Sequence, residues 1–140
     1  MTAVNLLVHV EQYDVQGILP SQLESLALLA RAAGVLRRAF IDRTVDGVRR
    51  AHGFERYSSL DEWAEKTQPT DVFVFTSDQC HMELRHLRTV QPDAWLLFGP
   101  AMGWTSVPVG AIRVRIPGGV LNSRDCVPIA LWQVGTWPVP

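Results

Sequence analysis

Short, mostly apolar runs recur along this chain, and a helical or polar segment separates each from the next. The runs are VNLLVHV (Val4 to Val10), VLRRAFI (Val35 to Ile41), DVFVFT (Asp71 to Thr76), AWLLFG (Ala94 to Gly99) and AIRVRI (Ala111 to Ile116). A strand with one wet face alternates apolar with polar residues. Near-continuous apolar strands are those buried on both faces, and helices between them let neighbouring strands run parallel. The pattern predicts an α/β fold, a mostly parallel sheet with helices on both faces. There is no repeat, low-complexity tract or linker, so residues 1–140 read as a single domain.

The helical segments carry start and stop signals. In PSQLESLALLARAAG, Ser21 and Glu24 have capping-box spacing, Leu23, Leu26, Ala27, Ala30 and Ala33 recur at three and four, and Gly34 is the stop. A second capping box, Ser59 to Glu62, opens a helix with Leu60, Trp63 and Ala64 on one side. Ser77 or Asp78 is expected to cap a helix running toward Val90, and the arginine-rich residues 42–57 read as loop plus a short helix. The C-terminal CVPIALWQVGTWPVP is apolar almost all round. Leaving Ile129, Leu131, Trp132, Val134 and Trp137 in water would cost roughly 1.5–3 kcal/mol for each large side chain, which predicts a homodimer built partly on this segment.

Composition excludes several classes. Thirteen basic and fourteen acidic residues leave a net charge of −1, so a nucleic-acid surface must be a local patch. Two cysteines do not make a disulfide scaffold, the N-terminus lacks a signal-peptide pattern, and no run approaches the ~20 apolar residues of a membrane span. A cytoplasmic protein with no membrane partner is expected.

In parallel sheets ligands sit at the carboxyl ends of strands. The loops there are TSDQ after the third run, FGPAMGW after the fourth and IPGGVLN after the fifth. None is a P-loop and none has G-x-G-x-x-G spacing. Glycines in such loops let backbone approach a ligand, which suits a flat heterocycle; equally, glycine and proline can simply turn the chain.

The sequence WLLFGPAMGW followed by IRVRIPGGVLNSRDCVPIALWQ resembles the last two motifs of the SPOUT, or α/β-knot, methyltransferases of the SpoU/TrmH branch. The matching positions are Phe98-Gly99-Pro100-Ala101, Ile116-Pro117-Gly118, Val120-Leu121-Asn122 and Ile129-Ala130-Leu131-Trp132-Gln133. VRRAHGFERYSSLDEW looks like a further segment of the small single-domain members. The resemblance implies a deep C-terminal trefoil knot, a homodimer, and S-adenosylmethionine held among the three loops by Phe75, Thr76, Gly99, Ile116, Leu121 and Asn122. It also implies RNA, tRNA or rRNA, as substrate for ribose 2′-O methylation, with Asn122 among the catalytic positions.

The chain departs from this family on the substrate side. The first motif, Asn-x-Gly-Asn-x-x-Arg, is absent, and Leu28 stands where its arginine is expected; Ala101 and Val120 replace the glutamate and serine of the later motifs. Arg31, one turn on from Leu28, is the candidate to replace the lost guanidinium as a catalytic group. Arg49 and Arg50 head the RNA-binding candidates, within the arginine concentration from Arg37 to Arg56, where guanidiniums would meet phosphates. Two readings stay open: a divergent, active RNA methyltransferase, and a non-catalytic S-adenosylmethionine- or RNA-binding protein. Cys80, His81 and His86 lack a fourth ligand for a metal, His9 and Cys126 read as packing residues, and Trp104 is the tryptophan nearest a pocket loop.

Overall fold

The computed structural model describes residues 3–10, 18–42, 50–76, 80–87, 90–99, 104, 107–116 and 123–134, leaving the side chains of Arg50, Ala51 and Ser123 outside that description. An eight-stranded sheet forms its centre. The strands are β1 (Asn5–His9), β2 (Arg38–Ile41), β3 (Arg50–Ala51), β4 (Phe54–Tyr57), β5 (Val72–Phe75), β6 (Met82–Glu83), β7 (Trp95–Phe98) and β8 (Ile112–Arg115). Their order is β3-β4-β2-β1-β7-β5-β8-β6, and every neighbouring pair except β3 with β4 is parallel.

Alternate strand residues feed two cores, one on each face. Leu6, Val8, Phe40, Phe73, Phe75, Leu96, Phe98 and Val114 point to the side covered by α1 (Leu23–Ala32) and α3 (Ser123–Gln133). Leu7, Ala39, Ile41, Val72, Val74, Trp95 and Leu97 point to the side covered by α2 (Leu60–Thr67) through Trp63. This double burial is the physical cause of the apolar runs, because a strand between two helix layers has no wet face.

Helix ends follow the sequence signals in part. Ser59 caps α2 by accepting the Glu62 N–H at 3.1 Å, while the Glu62 carboxylate turns to the Ser58 hydroxyl and to Lys66 instead of closing the box; those two hydrogen bonds also hold its carboxyl below the ordinary range. The Ser21–Glu24 box is not made. A 3-10 turn, Pro20–Gln22, precedes α1, and the Gln22 side chain accepts the Leu19 N–H at 2.8 Å, so helix entry is fixed one turn earlier than Ser21 would fix it. Gly34, with φ of 73°, does end α1: its N–H donates to Arg31 O at 3.2 Å and that of Val35 to Ala30 O at 2.9 Å, a Schellman closure.

Two expectations are corrected. Residues 50–57 form a β3–β4 hairpin rather than loop and short helix. Its turn residues His52 and Gly53 have φ of 52° and 81°, the type I′ signs that match strand twist. Phe54 and Tyr57 are buried, and β4 then adds to β2 in parallel. The helix expected after Ser77 is likewise absent from residues 80–87, which form β6 and one 3-10 turn, Leu84–His86. Here tertiary pairing overrides local propensity. The β8 edge captures the segment: the His81 N–H donates to Arg113 O, and the Arg113 N–H donates to His81 Nδ1, each at 2.9 Å. Glu83 adds a 3.4 Å ion pair to Arg115 opposite it.

The expected apolar face of α3 also divides. Leu131 and Val134 lie in the chain's own core, whereas Ile129 and Trp132 are 42% and 71% exposed. Only the latter two remain for a second copy; Trp137 lies outside the described residues.

Candidate active site

The strands β7, β5 and β8 are adjacent and parallel, so their carboxyl ends fall on one edge of the sheet. That places Thr76, Gly99 and Ile116 side by side, one after each strand. Phe98 pairs with Phe75, and Phe75 pairs with Val114. Phe75 and Phe98 stack at 4.6 Å with rings 8° from parallel, closing the floor of this edge on the α1/α3 side. The Thr76 N–H donates to Val114 O at 3.0 Å, so the ladder continues into the loop start.

Trp104 forms the wall on the opposite, α2, side. Its indole N–H donates to the Phe75 carbonyl at 2.8 Å, and its ring meets His9, at the end of β1, edge-on with centroids 5.0 Å apart. The ring lies directly against Gly99: a Cβ there would stand 2.5 Å from Cε2 and Nε1, closer than side chains tolerate. Gly99 is therefore glycine to admit the indole. The sequence signal was the Gly103-Trp104 pair in the second loop; the place of the tryptophan against the strand ends was visible only once β1, β5 and β7 were neighbours. His9 is buried, as expected of a packing histidine.

The remaining candidates separate. Leu121 and Asn122, like Ala101 and Val120, lie outside the described residues, as does Arg49. Arg50 belongs to β3, its backbone opposite Glu55, at the far end of the sheet order from β8. Arg31 is exposed in the last turn of α1. That turn leads through Gly34 to Leu36, whose N–H donates to Val4 O at 2.9 Å, beside the amino end of β1. Within one chain Arg31 thus sits at the sheet edge opposite Thr76, Gly99 and Ile116, about four strand residues or ~13 Å away along the strands. Leu28, in the place of the family arginine, is 61% exposed on the outer face of α1.

Cys126 is not poised as a nucleophile. Burial, with Asp125 beside it, pushes the Cys126 thiol up to about 11, so it stays protonated at neutral pH. Among the described residues no group of three or more His, Cys, Asp or Glu is placed to hold a metal ion, and no helix is long and apolar enough to cross a membrane.

Neither a known family model nor a curated protein matches the sequence. Solved structures do match the fold over nearly the whole chain. A Bacillus anthracis protein assigned as an RNA methyltransferase superposes with a TM-score of 0.68 at 16% identity, covering 94% of this chain and 92% of that one. The A. aeolicus TrmH/SpoU tRNA modifying enzyme gives 0.67 at 12% identity, covering 96% and 75%. An AdoMet-bound rRNA methyltransferase from Sinorhizobium meliloti gives 0.62 at 19% identity, covering 95% and 55%. The chain has the α/β fold of the SpoU/TrmH-type RNA methyltransferases, the class its loop motifs resemble.

Proposed function

We propose that this protein is a divergent S-adenosylmethionine-dependent RNA methyltransferase of the SpoU/TrmH type, acting on a ribose 2′-hydroxyl of tRNA or rRNA as a cytoplasmic homodimer. The observation that carries the reading is the convergence of Thr76, Gly99 and Ile116 on one strand-end edge, each followed by a loop that matches the family. The strand-end edge, with the stacked Phe75 and Phe98 beneath one face and the Trp104 indole against the other, offers apolar surface and backbone groups of the kind an adenine ring needs. Thr76, Gly99 and Ile116, with Leu121 and Asn122 from the loop before α3, would hold the cofactor, which when bound supplies an electrophilic methyl group. The residues' own part is to fix its orientation and exclude water.

The knot belongs to this proposal. α3 follows β8 yet packs on β7 and on the Leu84–His86 turn, back across β5, the return a trefoil requires. A crystal structure whose trace from Gly99 to Ser123 pulls out straight would remove it.

The second reading, a non-catalytic S-adenosylmethionine- or RNA-binding protein, is favoured by one placement: Leu28 cannot act on a ribose or phosphate, and Arg31 lies at the other sheet edge. If Arg31 replaces the lost guanidinium in the active reading, it comes from the second copy. Arg31→Ala should then lower methyl transfer by about 10²-fold with cofactor affinity and dimer unchanged. Transfer at the parental rate excludes Arg31, and cofactor binding without transfer to any RNA supports the second reading.

The dimer has its own test. Ile129 and Trp132 are the apolar residues α3 leaves in solvent, so Trp132→Asp should convert a dimer of about 31 kDa, twice the 15.6 kDa chain, to monomer in light scattering with little loss of stability. A parent protein already monomeric at micromolar concentration overturns the proposal. Isothermal titration with S-adenosylmethionine tests the cofactor. Leu121→Arg should abolish that binding while unfolding stays cooperative, because a charge would enter an apolar slot.

A further inference from the structure

At the start of β2 two neighbouring arginines are held in place without being neutralised. The Arg37 Cζ lies 5.3 Å from the centroid of the Trp95 ring, and its backbone N–H donates to Asn5 Oδ1 at 3.1 Å. Asn5 is itself fully buried and donates to Asp93 Oδ1 at 2.7 Å, so the anchor beneath Arg37 is rigid. Arg38 Nη1 donates to the His52 carbonyl at 2.9 Å, across the β3–β4 turn. A Cβ on Gly53 would stand 3.2 Å from that Nη1, so glycine at this left-handed position also leaves the guanidinium its room. Neither arginine joins an ion pair among the described residues. Stacking on an aromatic face and a hydrogen bond to a carbonyl orient a guanidinium while leaving its charge for another anion.

Both arginines line a cleft of about 200 Å³, together with Gly53, Glu55, Tyr57 and Trp95. That is smaller than the roughly 300–1,000 Å³ of pockets enclosing a whole drug-sized ligand, so it does not suit S-adenosylmethionine, but it admits a phosphate or a single base. Glu55 is the one carboxylate in the lining. The Tyr57 hydroxyl donates to its Oε2 at 3.1 Å, and its other oxygen has no partner among the described residues. A carboxylate there repels a bare anion but accepts the N–H donors on a base edge.

We propose that this cleft is a single-nucleotide site for RNA, away from the strand-end site: a phosphate on Arg37 and Arg38, and a base edge rich in N–H donors, as in guanine, against Glu55. The inference rests on RNA being the partner. Trp95 opens β7 and Gly99 follows its last residue, so the two sites lie about 13 Å apart along the strand, a distance a few nucleotides span. The cleft would anchor the strand that presents its target to the other edge.

Anisotropy titrations with two fluorescein-labelled single-stranded RNAs of about 12 nucleotides, one all uridine and one carrying guanosines, test this. With Arg37→Gln plus Arg38→Gln, affinity should fall about tenfold or more at low salt, and the slope of log K against log salt should shrink by about 0.7 for the lost phosphate. Affinity for S-adenosylmethionine and the melting temperature should not change. Arg37→Lys plus Arg38→Lys should recover part of the loss, and Glu55→Gln should remove the preference for guanosine without altering the slope. Equal slopes in parent and Gln variants overturn the proposal even if the protein methylates RNA. If the parent binds neither RNA, guanosine monophosphate and inorganic phosphate are titrated. Guanosine monophosphate bound only by the parent supports a free-nucleotide site and removes RNA as occupant; no binding in any arm overturns the site.

Discussion

Gly99→Val is expected to abolish S-adenosylmethionine binding in calorimetry while leaving a folded protein. A Cβ at this position meets the Trp104 indole at 2.5 Å, and a branched side chain adds two more atoms to the clash. The ring is the partner free to give, since Gly99 closes β7 between the ends of β1 and β5. Moving it breaks the 2.8 Å hydrogen bond to the Phe75 carbonyl and the edge contact with His9, which together define one wall of the cleft. Overpacking of this kind costs about 1–3 kcal/mol. Trp104→Ala removes the colliding ring, so Gly99→Ala and Trp104→Ala combined should destabilise less than the sum of the two, by about 0.5–3 kcal/mol of coupling. Strict additivity in denaturant unfolding, or unaltered cofactor affinity in Gly99→Val, would show that the pair does not shape the site.

Trp63→Ala should cost about 3–5 kcal/mol, a large share of a small domain's stability. Trp63 is fully buried, and it meets Trp95 edge-to-face at 5.1 Å, 75° between planes, so it holds α2 onto the sheet. Its indole N–H has no hydrogen-bond partner among the described residues. Trp63→Phe therefore removes a buried donor along with some packing, and its cost should be well under half that of the alanine variant. Guanidinium unfolding of both proteins checks the pair; equal losses would mean that the indole N–H is satisfied in solution. Since Trp95 also carries Arg37, the alanine variant should loosen the nucleotide cleft as well.

The strands at the centre of the sheet were legible because their burial is written twice. Leu6 and Val8 face one helix layer and Leu7 the other, so the run in β1 had to be apolar throughout, and β5 and β7 repeat this. Ser59 was legible because capping is local: its oxygen and the Glu62 N–H are one turn apart. The edges were not. His52-Gly53 adopts type I′ angles without the usual asparagine, and β6 is two residues long, existing because β8 offered it an unpaired edge.

The candidate site divides on the same line. The glycine after Phe98 and the Ile-Pro-Gly after β8 are contiguous motifs, and with the recurring apolar runs they were enough to set the fold class and the three loops. That Thr76, Gly99 and Ile116 adjoin, while Arg31 stands at the opposite edge, depends on strand order β7-β5-β8 and on α1 running back between β1 and β2. Periodicity carries no information on strand order, because order is decided by which buried faces fit together across long separations in sequence. The same holds for Trp104 against Gly99 and for Arg37 over Trp95. Each residue was plain in the sequence, but only the packed sheet brought the members of each pair together and gave them something to do.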